Sequence, residues 1–120
     1  MLPFYIIRRI GKLKARCIAE HRCTPVEMKR YAAFNPSLQN RFEMKKEAGQ
    51  RYPWNGDSIG IELVGEAPKD KFVNVTAAQN SSLRWLVREL EQTFHVPMTE
   101  VFRHPQISWK QDTEASTARW

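Results

Sequence analysis

The stretch Ser58-Ile-Gly-Ile-Glu-Leu-Val-Gly65 is a compact apolar run that begins and ends with residues common in turns. Its length and its isoleucine and valine content are typical of a strand buried in a sheet that is covered on both faces. Glu62 interrupts the run, and a carboxylate in such a strand is costly if it is desolvated and unpaired. We therefore expect Glu62 to face an open cleft or a cation, unless it lies at a strand end that reaches water.

A helix follows this run. Thr76 offers an N-cap oxygen, and Val96-Pro97 ends the helical pattern. Residues 100–103 suit a brief strand, which would bring His104 to the edge of the sheet. Helix 77–94 is predicted from apolar residues that recur every three or four positions on one face, namely Leu83, Leu86, Val87, Leu90 and Phe94.

Upstream of the apolar run, Thr24, Pro25 and Glu27 satisfy the requirements of a capping box and predict a short helix to about Phe34. Residues 35–57 contain prolines, glycines and many charges, so we expect a long surface excursion there. The predicted fold is α/β, with a central mixed β-sheet flanked by helices.

A chain of 120 residues is too short for two independent cores, so one domain is expected. Nineteen basic residues against 13 acidic ones give a formal charge of +6, which favours polyanionic surroundings such as nucleic acid, anionic lipid or an acidic cell-wall polymer. A solvated basic face explains the charge equally. Nucleic acid is not expected as a partner, because the basic residues lack an aromatic platform or a recognition helix.

The opening apolar run, residues 1–7, is short and is followed by Arg8 and Arg9, which reverses the charge order of a signal peptide. No stretch has the 18 or so apolar residues of a membrane span, so none is expected. Cys17 and Cys23 do not form a zinc-finger pattern. They suit a disulfide in an oxidising compartment and reduced thiols in the cytosol, and the sequence leaves both open.

The segment from His104 to Glu114 carries groups that suit a metal hydrolase: an imidazole, the ammonium of Lys110 and two carboxylates, with Asp112 as the other carboxylate. Imidazole and carboxylate are good zinc ligands, and a lysine stabilises the oxyanion that forms when water attacks an amide carbonyl. By spacing alone, the same residues also fit an ordinary surface loop.

The order Asp57-Ser-Ile-Gly-Ile-Glu62, then Thr76-x-x-Gln79, then His104 with Lys110 and Asp112 resembles the peptidoglycan amidase/recognition-protein family, which includes zinc N-acetylmuramoyl-L-alanine amidases. Further similarities are to a bacterial subgroup associated with type VI secretion, and they lie in Gly-Lys-Leu-Lys-Ala-Arg-Cys at 11–17, Arg51-Tyr-Pro53 and Arg103-His-Pro105. The resemblance implies a partial amidase domain over residues 11–120, preceded by a divergent segment, residues 1–10, with the N-terminal half of the domain missing or altered.

The resemblance implies zinc-dependent hydrolysis of the amide bond between N-acetylmuramic acid and L-alanine in peptidoglycan. His104 would be a zinc ligand, Glu62 would help to activate water, and Lys110 would stabilise the oxyanion. The lysine-x-aspartate pattern selects Asp112 as the second zinc ligand, whereas the closer subgroup selects Glu114. We expect one of the two and not both, with Asp112 slightly ahead.

The chain departs from the family at a second zinc-ligand histidine on an early strand, which it lacks, and Arg9 stands where the subgroup has a histidine. One histidine and one carboxylate hold zinc less well than three protein ligands do. The alternative function is therefore a catalytically inactive peptidoglycan-binding module or a relic of a larger effector. The expected partners are peptidoglycan or muropeptides and an immunity protein, and the expected location is the bacterial cytoplasm before export and a periplasm for action.

Overall fold

The computed structural model describes residues 13–32 and 35–120. They divide into two compact units: an N-terminal unit with residues 13–32, 35–60 and 106–109, and a C-terminal unit with residues 61–105 and 110–120. Short 3₁₀ turns lie at Pro68–Asp70 and Met98–Glu100. The α-helices of the described ranges are α1 (Arg16–Ala19), α2 (Pro25–Ala32), α3 (Pro36–Glu43), α4 (Ala77–Phe94) and α5 (His104–Ile107).

The predicted central mixed β-sheet is wrong for the described residues. Pairing of β type occurs there as isolated bridges: Leu13 pairs antiparallel with Ser108, Ala48 pairs parallel with Arg51, and Val64 is a further bridge residue. The predicted strand at 100–103 is also wrong, because the 3₁₀ turn Met98–Glu100 leads into irregular backbone.

The structure of residues 58–65 explains why their apolar pattern wrongly predicted a strand in a covered sheet. From residue 61 onward its side chains alternate between half-buried and exposed, with the two-residue period of a strand. Ile61 and Leu63 pack on the core beside α4, while Ile59 and Val64 are 57% and 56% exposed. The apolar residues therefore cover a helix from one side only, and a continuous apolar run does not reveal whether neighbouring strands exist.

Helix α4 has the bounds that the sequence predicted, and it forms the base of the C-terminal unit. Thr76 Oγ1 accepts a hydrogen bond from the Gln79 amide at 3.1 Å, and Gln79 Oε1 accepts one from the Thr76 amide at 2.9 Å. Leu83 and Val87 are buried, and Ala118 completes their cluster. Phe94, the last residue of the apolar face that the sequence predicted, is 58% exposed.

The predicted helix at 24–34 is present as α2, with residues 33–34 outside the described ranges. Thr24 and Glu27 form the predicted capping box, with the Glu27 amide 3.2 Å from Thr24 Oγ1 and Glu27 Oε2 2.7 Å from the Thr24 amide. Helix α3 was not predicted. Asn35 is its N-cap and Pro36 its first residue, so part of the expected surface excursion is helical.

A buried ion pair lies between α2 and the end of α3. Glu43 is completely buried, accepts a hydrogen bond from the Tyr31 hydroxyl, and lies 2.8 Å from Lys46 Nζ. Lys46 also contacts Glu27 at 2.9 Å. Burial, together with the hydrogen bond to Glu43, raises the pKa of Tyr31. Both partners bind Oε1 of Glu43, while its Oε2 is buried without a hydrogen-bond partner among the described residues. Through Tyr31 and Lys46 the carboxylate joins α2 to the end of α3.

The structure contains the Cys17–Cys23 disulfide, which joins α1 to the residues before α2. Farther along the N-terminal unit, the buried Arg51 forms an ion pair with Asp57 at 2.7 Å and donates to the carbonyls of Lys46 and Tyr52. These bonds hold residues 46–57 without regular secondary structure. Among the described residues, no helix combines the length and the apolar character that crossing a membrane requires.

Glu27 should make the stability of the N-terminal unit depend on pH. Its hydrogen bonds, first from Lys46 and then from the Thr24 backbone, lower its pKa from 4.5 to about 2. A lowered pKa gives stability that is present above about pH 4.5 and lost as the pH falls towards 2. We expect Glu27→Gln, which keeps the capping geometry, to be less stable than wild type at neutral pH. The two proteins should converge in acid.

Urea unfolding of both proteins across that pH range measures the effect. The exposed Glu47→Gln variant is the matched control and should follow wild type at every pH. A constant gap between Glu27→Gln and wild type down to the lowest pH would show that the charge of Glu27 is not responsible.

Thr76→Ala should lower the free energy of unfolding by about 1 kcal/mol, because it leaves the first turn of α4 without its side-chain cap. Ser81→Ala, at an exposed position inside the same helix, is the control and should be neutral or slightly stabilising. Thermal unfolding followed by circular dichroism compares the two. Equal melting temperatures would contradict a role for the capping box.

Candidate metal and catalytic site

All five of the predicted site residues lie in the C-terminal unit. His104 is the first residue of α5, and Glu62 is an exposed residue of the segment that covers α4. Lys110 is half-buried, Asp112 is exposed, and Glu114 is 4% exposed. The residues that sequence spacing grouped together therefore have very different access to water.

The structure brings His104 and Glu114 into direct contact. His104 Nδ1 lies 2.8 Å from Glu114 Oε1, and the two side chains are 18% and 5% exposed. With Glu114 ionised, Nδ1–H of His104 donates this hydrogen bond, because an ionised carboxylate only accepts. Within the ranges described, Nε2 has no hydrogen-bond partner. The contact therefore brings a ring nitrogen and a carboxylate oxygen close enough to bind one metal ion once the proton between them is released.

Glu114 lies in a series of tight turns, residues 111–118, which we call the C-terminal turns. Backbone amides of Glu114, Ser116 and Ala118 each bond to the carbonyl three residues earlier, at 3.0, 3.2 and 3.1 Å. Ala115 has φ of 54°, in the left-handed region that alanine rarely adopts. This reversal follows Glu114 directly.

Side-chain hydrogen bonds anchor the C-terminal turns to the rest of their unit. The hydroxyl of Thr113 accepts from the Phe72 amide at 3.2 Å, and that of Thr117 accepts from the Val75 amide at 2.8 Å. Asn80, on α4, donates to the Thr117 carbonyl at 3.3 Å. These bonds flank Glu114 on both sides in sequence, so they hold the backbone that carries its carboxylate.

Arg103 also binds the C-terminal turns, and the sequence had not identified it as a site residue. Its Nε donates to the Ala115 carbonyl at 3.2 Å, its Nη2 donates to the Ala118 carbonyl, and its guanidinium lies 4.4 Å from the centre of the Trp120 ring. Burial, and secondly the charge of Arg119, lower the pKa of Arg103. In the sequence, its position next to His104 was the feature that could have indicated a role at the site.

Two of the other predicted site residues lack such partners. In the described part of the chain, neither Glu62 nor Asp112 forms a hydrogen bond or an ion pair. Glu62 is exposed between Ile61 and Leu63, which pack on the α4 cluster. The structure therefore pairs His104 with Glu114, whereas Glu62 and Asp112 point to water.

A second group of possible ligands lies in the N-terminal unit. Ligand atoms of Cys17, Cys23 and Glu27 are within 4.8 Å of one another. The two sulfurs form a disulfide, so neither is a thiolate, and Glu27 is engaged by Lys46 and Thr24. A metal ion does not fit this group in its oxidised form.

Comparison with known families gives a match to N-acetylmuramoyl-L-alanine amidase over residues 5–116. Comparisons with curated proteins and with solved structures give no match. The family match spans nearly the whole chain and confirms the resemblance inferred from the sequence motifs. Its range includes His104, Glu114 and the segment that holds Glu62. The chain belongs to the N-acetylmuramoyl-L-alanine amidase family.

Proposed function

We propose that this chain hydrolyses the amide bond between N-acetylmuramic acid and L-alanine in peptidoglycan, with zinc held by His104 and Glu114. The observation that carries the proposal is the 2.8 Å contact between these two side chains in a chain of the amidase family. An imidazole nitrogen and a carboxylate oxygen are both donors that zinc accepts. The structure favours Glu114 over Asp112, which is exposed.

The chain's own residues have distinct proposed roles. Zinc, when bound, acts as a Lewis acid on water and on the amide carbonyl. Glu62 takes the proton of the attacking water and passes it to the leaving amine of L-alanine, and its exposed carboxylate is accessible for that task. Lys110 places its ammonium against the negative charge that develops on the carbonyl oxygen.

Two protein donors are fewer than the three that catalytic zinc sites generally use. We therefore propose weak zinc binding and slow turnover. The same shortage favours the alternative function, a peptidoglycan-binding module that recognises muropeptides without cleaving them. The two functions share a substrate and differ in whether the amide bond breaks.

The place of action is proposed from the resemblance to the type VI secretion subgroup. Such an effector is made in the cytoplasm, acts on peptidoglycan in a periplasm and meets an immunity protein. The Cys17–Cys23 disulfide supports this proposal, because disulfides persist in the oxidising periplasm and are rare in the cytosol.

Zinc content and muropeptide cleavage, measured in the same samples, test the proposed site. Wild type should bind about one zinc per chain and release L-alanine-containing stem peptide. His104→Ala and Glu114→Gln should bind zinc much more weakly and cleave much more slowly, because each removes one of the two donors. Asp112→Asn is the matched control and should keep both properties of wild type.

Each other outcome has a definite meaning. Zinc loss in Asp112→Asn with retention in Glu114→Gln would assign the second ligand to Asp112. A folded wild-type protein that binds muropeptide without zinc and without cleavage would establish the binding module and exclude the amidase.

The proposed roles of Glu62 and Lys110 predict loss of rate without loss of metal. Glu62→Gln should cleave roughly 10² to 10⁴ times more slowly, which is the usual contribution of a general base. Lys110→Met should be slower by about 10² to 10³, the typical effect of removing one oxyanion donor. Both should retain zinc, and the exposed Glu66→Gln variant should match wild type. Unchanged cleavage by either variant would remove the role assigned to that residue.

A further inference from the structure

We propose that Arg103 is a positioning residue, which holds the carboxylate of Glu114 against the imidazole of His104. The inference rests on the proposed function, because it assigns Arg103 to the same zinc site. The two hydrogen bonds from Arg103 to the C-terminal turns go to backbone carbonyls. It acts on the backbone that carries Glu114.

The two carbonyls that accept from Arg103 belong to Ala115 and Ala118, one and four residues after Glu114. Arg103 and His104 are consecutive residues. The same short segment therefore carries the imidazole of His104 and binds the turn that carries the carboxylate of Glu114. Arg103 therefore links the backbone of His104 to the turn that carries Glu114, in addition to the hydrogen bonds of Thr113 and Thr117.

Arg103 binds the turn at Ala115, where the backbone has a positive φ. A residue other than glycine is strained in the left-handed region and persists there where its surroundings enforce it. Ala115, with φ of 54°, is that residue, and its own carbonyl is one of the two acceptors. Without the guanidinium, we expect the turn to relax towards ordinary backbone angles and to carry Glu114 away from His104.

The shape of the guanidinium matters as well as its charge. Arginine is planar and presents several donors in a fixed fork, so it bonds to two carbonyls while its face lies over the Trp120 ring. A lysine ammonium has no fork and no flat face. Arg103→Lys therefore keeps the charge and loses the geometry, which separates the two contributions.

A purely structural clamp is the competing explanation, and zinc affinity in a double-mutant cycle distinguishes it. Arg103→Gln should weaken zinc binding by roughly 10 to 100-fold, as is usual when a residue that orients a ligand is removed. In a Glu114→Gln background the same change should have little further effect, because the group that Arg103 positions is already gone. Arg88→Gln, an exposed arginine on α4, is the matched control.

A second readout needs no zinc. Long-range proton–nitrogen NMR spectra of the metal-free protein report which nitrogen of His104 carries the proton, with the His104→Ala variant giving the assignment. Wild type should show the proton on Nδ1, where Glu114 accepts it. Arg103→Gln and Arg103→Lys should show a mixture of tautomers, while Arg88→Gln should match wild type.

These results separate the failure of the inference from the failure of the proposed function. Wild type without zinc and without cleavage, but with a tautomer shift in Arg103→Gln, would reject the amidase and retain the positioning. Unchanged tautomer in folded Arg103→Gln, or equal zinc losses with and without Glu114, would overturn the positioning role. If Arg103→Gln does not fold, Arg103→Lys decides by the same two measurements.

Discussion

The packing of Ala118 between Leu83 and Val87 is the contact on which the C-terminal unit depends. Ala118 is 1% exposed, and it anchors the end of the C-terminal turns on the buried face of α4. This apolar contact holds the C-terminal turns close to α4, where the hydrogen bonds of Thr113, Thr117 and Asn80 can form. The contact between His104 and Glu114 is thus a result of helix packing as much as of local hydrogen bonding.

The parts of the fold that sequence predicted are those whose cause is local. The Thr76 cap and the apolar stripe of α4 lie within one helix, and the Thr24 capping box lies within four residues. The sheet failed as a prediction because strand pairing is set by residues far apart in the chain. Helix α3 was missed because Asn35-Pro36 is equally suited to a turn and to a helix N-terminus.

In the candidate site too, the sequence did not predict contacts that depend on the folded backbone. Sequence placed His104 in a metal-binding segment but could not decide between Asp112 and Glu114, which are two residues apart. The contact between His104 and Glu114 depends on the turns around Ala115, and an alanine in the sequence does not indicate a left-handed backbone. Arg103 was missed for a related reason, since its acceptors are backbone carbonyls and these carry no mark in the sequence.

The disulfide has a consequence for the lifetime of the protein. It closes a short loop, and in the chain-entropy description such a loop stabilises by roughly 2 kcal/mol. A stabilisation of this size lowers the unfolded fraction of a marginally stable unit by more than tenfold. Because proteases cleave unfolded chains, the disulfide should slow proteolysis. Neither cysteine belongs to the unit that holds His104 and Glu114. Oxidation of the cysteines therefore affects how long the folded protein persists, whereas the chemistry of the site depends on other residues.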